Sequence, residues 1–341
     1  MKKILIINLS LLALVAGYAV DNPPVSAQRN STTSQFMIGM LRADGTLVPF
    51  AQYGNGGWWN PWPRPRHVAQ SIYAESAEEV IPHSLADLPE PWFIQCAKIP
   101  APWFFWSSAE ASIELKASEL VQVEAHSGTN WGLLTDLPKR TSNDPLHDIL
   151  GVAATARQKI EPFIKIETAS TQGKEISSFI KQIFDVEETT ELDRLRVESP
   201  PAIANLLPFS LSSEERATVE TSLTVLYWSS SVVNGKHVYY FEAEKHYRKR
   251  TTSEDPGCYD VSLFQGWISR NARDGLGLMA GNFLFTDCDR KGPSTMIPLG
   301  TMTLKKQVFL FVREHGWEDE SYTILELNQS GLHRVLETVG A

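Results

Sequence analysis

The chain has 341 residues, 43% hydrophobic and 21% charged, the balance of a folded chain rather than a disordered one. Its net charge of −9 argues against nucleic acid and anionic lipid as partners, because both demand a positive field. The three cysteines, Cys96, Cys258 and Cys288, include no Cys-x-x-Cys pair, which argues against a cysteine metal site, and no metal ligand set or cofactor motif is expected.

The first predicted element is a leader. Met1-Lys2-Lys3 is followed by an apolar run from Ile4 to Val20, with no charge before Asp21. A basic start, an apolar stretch and a small-x-small site make a secretory signal peptide. Gly17-Tyr18-Ala19 and Val25-Ser26-Ala27 both fit the cleavage rule; Pro23 and Pro24 favour the second, because they end the apolar helix just before it. The apolar run is slightly short of the ~20 residues of a membrane-spanning helix. Residues 1–27 are therefore read as a signal peptide, and no membrane span is expected after its cleavage. The location implied is periplasmic or extracellular. In such compartments thiols pair, so Cys258 and Cys288, which border predicted strands, are expected to form a disulfide. Cys96 lies in an apolar run and reads as a buried thiol.

The second zone, residues 28–140, reads as a tryptophan-rich β unit. Phe36 to Leu41 and Thr46 to Tyr53 are short apolar runs joined through Asp44-Gly45, a hairpin signal, and Gly54-Asn55-Gly56-Gly57 supplies a second turn. Residues 112–116 and 119–124 largely alternate apolar and polar side chains, the pattern of half-buried strands. Residues 141–218 read as a helical connector. Leu146, Ile149, Leu150 and Ala153 recur at helical spacing up to Pro162. Ile176, Phe179, Ile180, Ile183 and Phe184 form a clearer apolar stripe, with the acidic stretch from Glu187 to Glu191 closing that helix. Residues 219–341 return to strands. Leu223 to Tyr227 and His237 to Glu242 flank Asn234-Gly235; further strands are expected at 259–268, 283–285, 302–311 and 322–327, and a last one after Ser330-Gly331. The expected fold class is β-rich α+β, two antiparallel β units, sandwich or barrel-like, with a helical connector or insert between them.

Signatures of chemistry are sparse. His-Glu-x-x-His, Gly-x-Ser-x-Gly and the phosphate-binding Gly-x-x-x-x-Gly-Lys are all absent. Asp287 to Gly292 resembles the start of a calcium loop, but Lys291 stands where an oxygen ligand is needed. His315, Glu318, Asp319 and Glu320 form a dense titratable cluster, read as an exposed turn between strands. The basic run His246 to Arg250 reads as a solvated hairpin end. Ten tryptophans are the most unusual feature. Trp58, Trp59 and Trp62 sit in a Gly/Pro-rich segment that can present extended rings to a sugar, or place the same rings in a core. The reading is an exported, non-catalytic binding or envelope-associated protein. Its expected partner is a carbohydrate bound on Trp58, Trp59 and Trp62, or another envelope protein. A cell-surface polymer hydrolase with unidentified carboxylates and a structural subunit of a surface assembly are the alternatives.

Overall fold

The computed structural model describes residues 36–61, 102–107, 111–125, 128–138, 149–198, 207–233, 236–248, 259–271, 275–286, 294–315, 320–328 and 330–339. The signal peptide, Trp62, Cys96, Cys258, Cys288 and the Asp287–Gly292 loop lie outside them. The fold is β-rich, built of antiparallel sheets, with a helical insert.

Strand β1 (Phe36–Arg42) turns at Asp44-Gly45 into β2 (Thr46–Gly54), and Asn55-Gly56 turns β2 into β3 (Gly57–Trp59). Positive φ at Gly45 (84°), Asn55 (51°) and Gly56 (84°) is what these turn residues were read to supply. The first sheet is completed by β4 (Trp103–Trp106), β5 (Ser112–Leu115), β6 (Ala117–Ala125), β7 (Gly128–Thr135) and β8 (Ile149–Ala154), in the order β5-β4-β8-β1-β2-β7-β6. Its two edges, β5 and β6, are consecutive in the chain through Lys116, so the sheet curls into a nearly closed barrel. Asp136 fixes that corner: its Oδ1 accepts from Lys116 N–H at 2.9 Å and its own N–H donates to Lys116 O at 3.1 Å. Strand β8 overturns one expectation. Residues 149–154 follow a helical spacing but pair with β1 and β4, and Gly151 at φ 139° has a backbone that no helix uses. Tertiary pairing outweighs a short periodicity match in which Ile and Val suit a strand equally well.

Two five-stranded sheets follow. The outer one runs β10-β11-β12-β13-β14, from β10 (Ile164–Lys165) through β11 (Ser222–Val233), β12 (Lys236–Arg248) and β13 (Tyr259–Asn271) to β14 (Gly275–Thr286). The middle one runs β18-β17-β16-β15-β9, with β9 (Ile160–Pro162), β15 (Thr295–Leu304), β16 (Gln307–His315), β17 (Glu320–Asn328) and β18 (Gly331–Val339). Residues 160–165 thus pass from an edge of one sheet to an edge of the other. The stretch read as one strand, 302–311, is a hairpin turned by Lys305 (φ 49°) and Lys306 (φ 74°). Left-handed backbone is unfavourable for a side chain with a Cβ, so Gly or Asn usually marks such a turn, and here neither does. Lys306→Gly is expected to stabilise the protein by about 1 kcal/mol. A denaturant midpoint no higher than that of the wild type would show that the turn carries no strain.

Helix α1 (Thr171–Glu198) begins where Ser170 Oγ accepts from Gly173 N–H at 3.0 Å. The acidic stretch does not end it. Leu192 is buried, and the Glu191–Arg194 and Asp193–Arg196 pairs support the later turns. Short helices α2 (Leu207–Ser210) and α3 (Ser213–Ala217) lead into β11, α3 with a capping box between Ser212 and Glu215.

Alternation along the strands builds the layers. Met37, Leu41 and Leu47 meet Trp103, Phe105 and Leu133 in one cluster on one face of the first sheet. Phe36, Ile38, Met40 and Phe50, on its other face, pack on Phe309, Phe311 and Ile324 of the middle sheet. The middle sheet's second face sets Val308, Leu310 and Val312 against Val238, Tyr240 and Trp267 of the outer sheet. Tyr239, Phe241 and Phe264, on the far face of the outer sheet, lie under Ile176, Ile180 and Phe184 of α1. No helix of the described residues is long and apolar enough to cross a membrane.

Candidate functional site

Where the outer and middle sheets part, a cleft of about 700 Å³ opens. Its shape follows from register. In an antiparallel sheet, directly paired residues share a face, and the pairs Val238–Ser269–Gly277 and Lys236–Asn271–Gly275 form two rows across β12, β13 and β14. Both rows belong to the face that packs on the middle sheet, because Val238 lies in that interlayer cluster. On β14 both inward positions are glycine, so the interlayer space that side chains fill further along is empty here. The apolar floor is made by Val238, Met279 and Leu327, and the polar rim by Lys236, Ser269 and Asn271 facing the Asn328–Gly331 turn. That turn is fixed from within: Asn328 Oδ1 accepts from Ser330 N–H at 2.9 Å and from its hydroxyl at 2.7 Å.

Glycine itself is informative at this place. Gly275 (φ 76°) and Gly331 (φ 129°) hold backbone that favours glycine. Gly277 has no such need, and no atom lies within 4 Å of where its Cβ would stand. Gly57 also lacks both reasons, meeting only ordinary contacts with Trp59 from 3.8 Å, but it adjoins the β2–β3 turn and does not line the cleft. A glycine inside a strand weakens it, and such a residue often marks the close approach of a ligand or another backbone. The neighbouring register shift falls between Leu278 and Ala280, not at Gly277. A 700 Å³ cleft with an apolar floor and a few polar groups is within the range of small-ligand sites. Among the described residues Lys236 is the one ionisable residue lining it, and none of them forms an ion pair with it. Among the described residues no acid lines it.

The tryptophans divide. On β3, Trp58 and Trp59 point to opposite faces. The Trp58 ring packs edge-on against Phe36, Tyr53, Phe309 and Phe311 at centroid distances of 5.0–5.9 Å. Trp59 is 36% exposed, its Nε1–H donating to Gly54 O at 3.2 Å. The two rings do not form one platform, and Trp62 lies outside the described residues.

Two ionic clusters are buried instead of exposed. Glu188 of α1 is fully buried; its Oε1 accepts from the Tyr247 hydroxyl at 2.6 Å, and its Oε2 lies 3.5 Å from Lys245 Nζ and 3.7 Å from Arg216 Nε. Lys245 also donates to Arg216 O at 2.9 Å and pairs with Asp185. Burial pushes the Tyr247 phenol far up, with the Glu188 carboxylate adding to the effect. The basic run is therefore no simple solvated end, since Tyr247 is buried and His246 contacts Glu244 at 2.7 Å. The signal was present: Glu188 is four residues from both Phe184 and Leu192, on the apolar stripe itself.

The second cluster joins Arg313, Glu320 and Tyr322. Arg313 Nη2 donates to Glu320 Oε2 at 2.7 Å, and the Tyr322 hydroxyl bonds Glu320 Oε1. Burial pushes the Glu320 carboxyl up, but Arg313 and the hydrogen bonds more than offset this and hold it below its ordinary range. Glu320 thus starts β17 in the interior, not at an exposed turn, while Glu318 and Asp319 lie outside the described residues. Both clusters tie elements together, and none of their residues lines the cleft. Among the described residues no group of three or more His, Cys, Asp and Glu side chains is placed to hold a metal ion.

No protein-family model, curated protein or solved structure matches this chain.

Proposed function

We propose that this is an exported, non-catalytic binding protein whose ligand seats in the cleft between the outer and middle sheets. Gly277 carries the reading: a residue that costs strand stability, is required by neither backbone nor packing, and stands in the wall of the cleft. A cleft whose described lining has amide and hydroxyl groups, one cation and no carboxylate supports recognition over acid–base chemistry.

Gly277→Val fills the space at a position where nothing obstructs a Cβ. The variant is expected to be as stable as the wild type or up to about 1 kcal/mol more stable. It is also expected to lose binding, read by calorimetry against envelope oligosaccharides, short peptides and small organic acids. Binding retained in a folded Gly277→Val protein would remove the cleft as the site. A carbohydrate on the tryptophan edge is the second reading, favoured by the exposure of Trp59; there, Trp59→Ala and Trp62→Ala weaken binding and Gly277→Val does not.

Export is supported by the leader-like first 27 residues, and intact mass of the secreted product is expected to place its first residue at Gln28. A Cys258–Cys288 disulfide is proposed with it. Val261 pairs with Thr286 near the ends of β13 and β14 that these two cysteines adjoin in the chain.

A further inference from the structure

We propose that the occupant of the cleft is an amphipathic molecule carrying a single carboxylate, with its apolar body on Val238, Met279 and Leu327 and its charge on the Lys236 ammonium. The inference rests on the cleft being the binding site. The floor offers only apolar side chains, so part of the ligand must be apolar to gain by leaving water. The rim then sets the sign of the polar end. Among the described residues Lys236 is the sole charge lining the cleft, and none of them gives it a carboxylate partner. A cation there would meet repulsion, while an anion gains a charge-assisted hydrogen bond. The number of charges follows as well. One ammonium with neighbouring amide and hydroxyl groups suits a single negative charge. A phosphate would call for the denser set of donors that Arg or a helix N-terminus supplies, and among the described residues neither lines this cleft. Polar contacts remain for the second carboxylate oxygen on Ser269, which stands one row in from Lys236 on the same face.

Octanoate, octanol and octylamine share one apolar chain and differ in the end group, so they separate the two parts of the proposal. Titrated by calorimetry into the full-length mature protein, octanoate is expected to bind more tightly than octanol, and octylamine least. Lys236→Gln is expected to weaken octanoate about ten- to a hundredfold, the range of one charged hydrogen bond, and to leave octanol unchanged. Its melting temperature should match that of the wild type, since Lys236 holds no ion pair among the described residues. Gly277→Val should remove binding of both. Equal affinity for octanoate and octanol, or an octanoate affinity indifferent to Lys236→Gln, would overturn the carboxylate assignment. A different ligand that binds the wild type and is lost in Gly277→Val would overturn it too, with the cleft still the site. Octanoate binding that survives Gly277→Val would instead overturn the cleft reading itself.

Discussion

Replacing Glu188 by Gln is expected to destabilise the protein by about 3–5 kcal/mol, the cost of leaving buried charges without their counter-ion. The carboxylate is fully buried between two cations, Lys245 and Arg216, whose side chains are 1% and 4% exposed. A glutamine keeps the shape and still accepts from the Tyr247 hydroxyl, so the loss isolates charge. Lys245 retains Asp185, which is half exposed and cannot replace an interior partner. The effect should be read as a shift in urea midpoint, with Asp193→Asn as the comparison. Asp193 pairs with Arg196 on the solvent side of the same helix, and its loss should cost no more than about 0.5 kcal/mol. Equal losses in the two variants would mean that the buried cluster contributes nothing beyond a surface pair. Replacing Glu188 and Lys245 together by Met should cost less than the two single changes added, because an apolar pair carries no desolvation penalty.

Glu320→Gln is the second large effect, again about 3–5 kcal/mol near neutral pH, and it carries a pH signature. Burial raises the carboxyl's pKa, while Arg313 and the hydrogen bonds from Arg313 and Tyr322 lower it further, leaving it below its ordinary value of 4.5. A carboxyl depressed in the folded state contributes stability that is present above its unfolded pKa and lost as pH falls through the folded one. The gap between wild type and Glu320→Gln should therefore be constant above about pH 5 and narrow in acid. Chemical denaturation at a series of pH values measures it. A gap that stays flat into strong acid would show that the charge of Glu320 is not what matters.

What the sequence disclosed and what it concealed have physical reasons. Asp44-Gly45 and Asn55-Gly56 announce their hairpins because positive φ restricts the residues that can be there. Lys305-Lys306 performs a similar turn without a favourable residue, so two strands were read as one. The stripe through Ile176, Ile180 and Phe184 announces α1, but the helix outlasts it because Leu192 and Arg216, distant in sequence from the first turn, provide later contacts. Strand β8 was hidden because its partners β1 and β4 lie far away along the chain. Trp58 and Trp59 stood out by composition, yet adjacent strand positions face opposite ways, and one ring is spent on the core. The cleft left the faintest trace, since it is made by side chains that are absent. Gly275-Leu276-Gly277 reads locally as turn-prone sequence, and only the register with Ser269 and Val238 shows that its glycines face inward.

The six residues from Ile160 to Lys165 have a consequence out of proportion to their length. Strand β9 lies along β15 and β10 along β11, at the outermost rows of the two sheets. Each occupies backbone groups that would otherwise be open to any passing strand, and an open edge is where chains pair wrongly with their neighbours. At 300, 301 and 302 on one side and 227 and 228 on the other, the chain has already supplied its own partner. A variant in which Ile160 to Lys165 cannot pair would keep every hairpin of both sheets and still expose these rows. Its hazard would be self-association of otherwise folded molecules, growing with concentration.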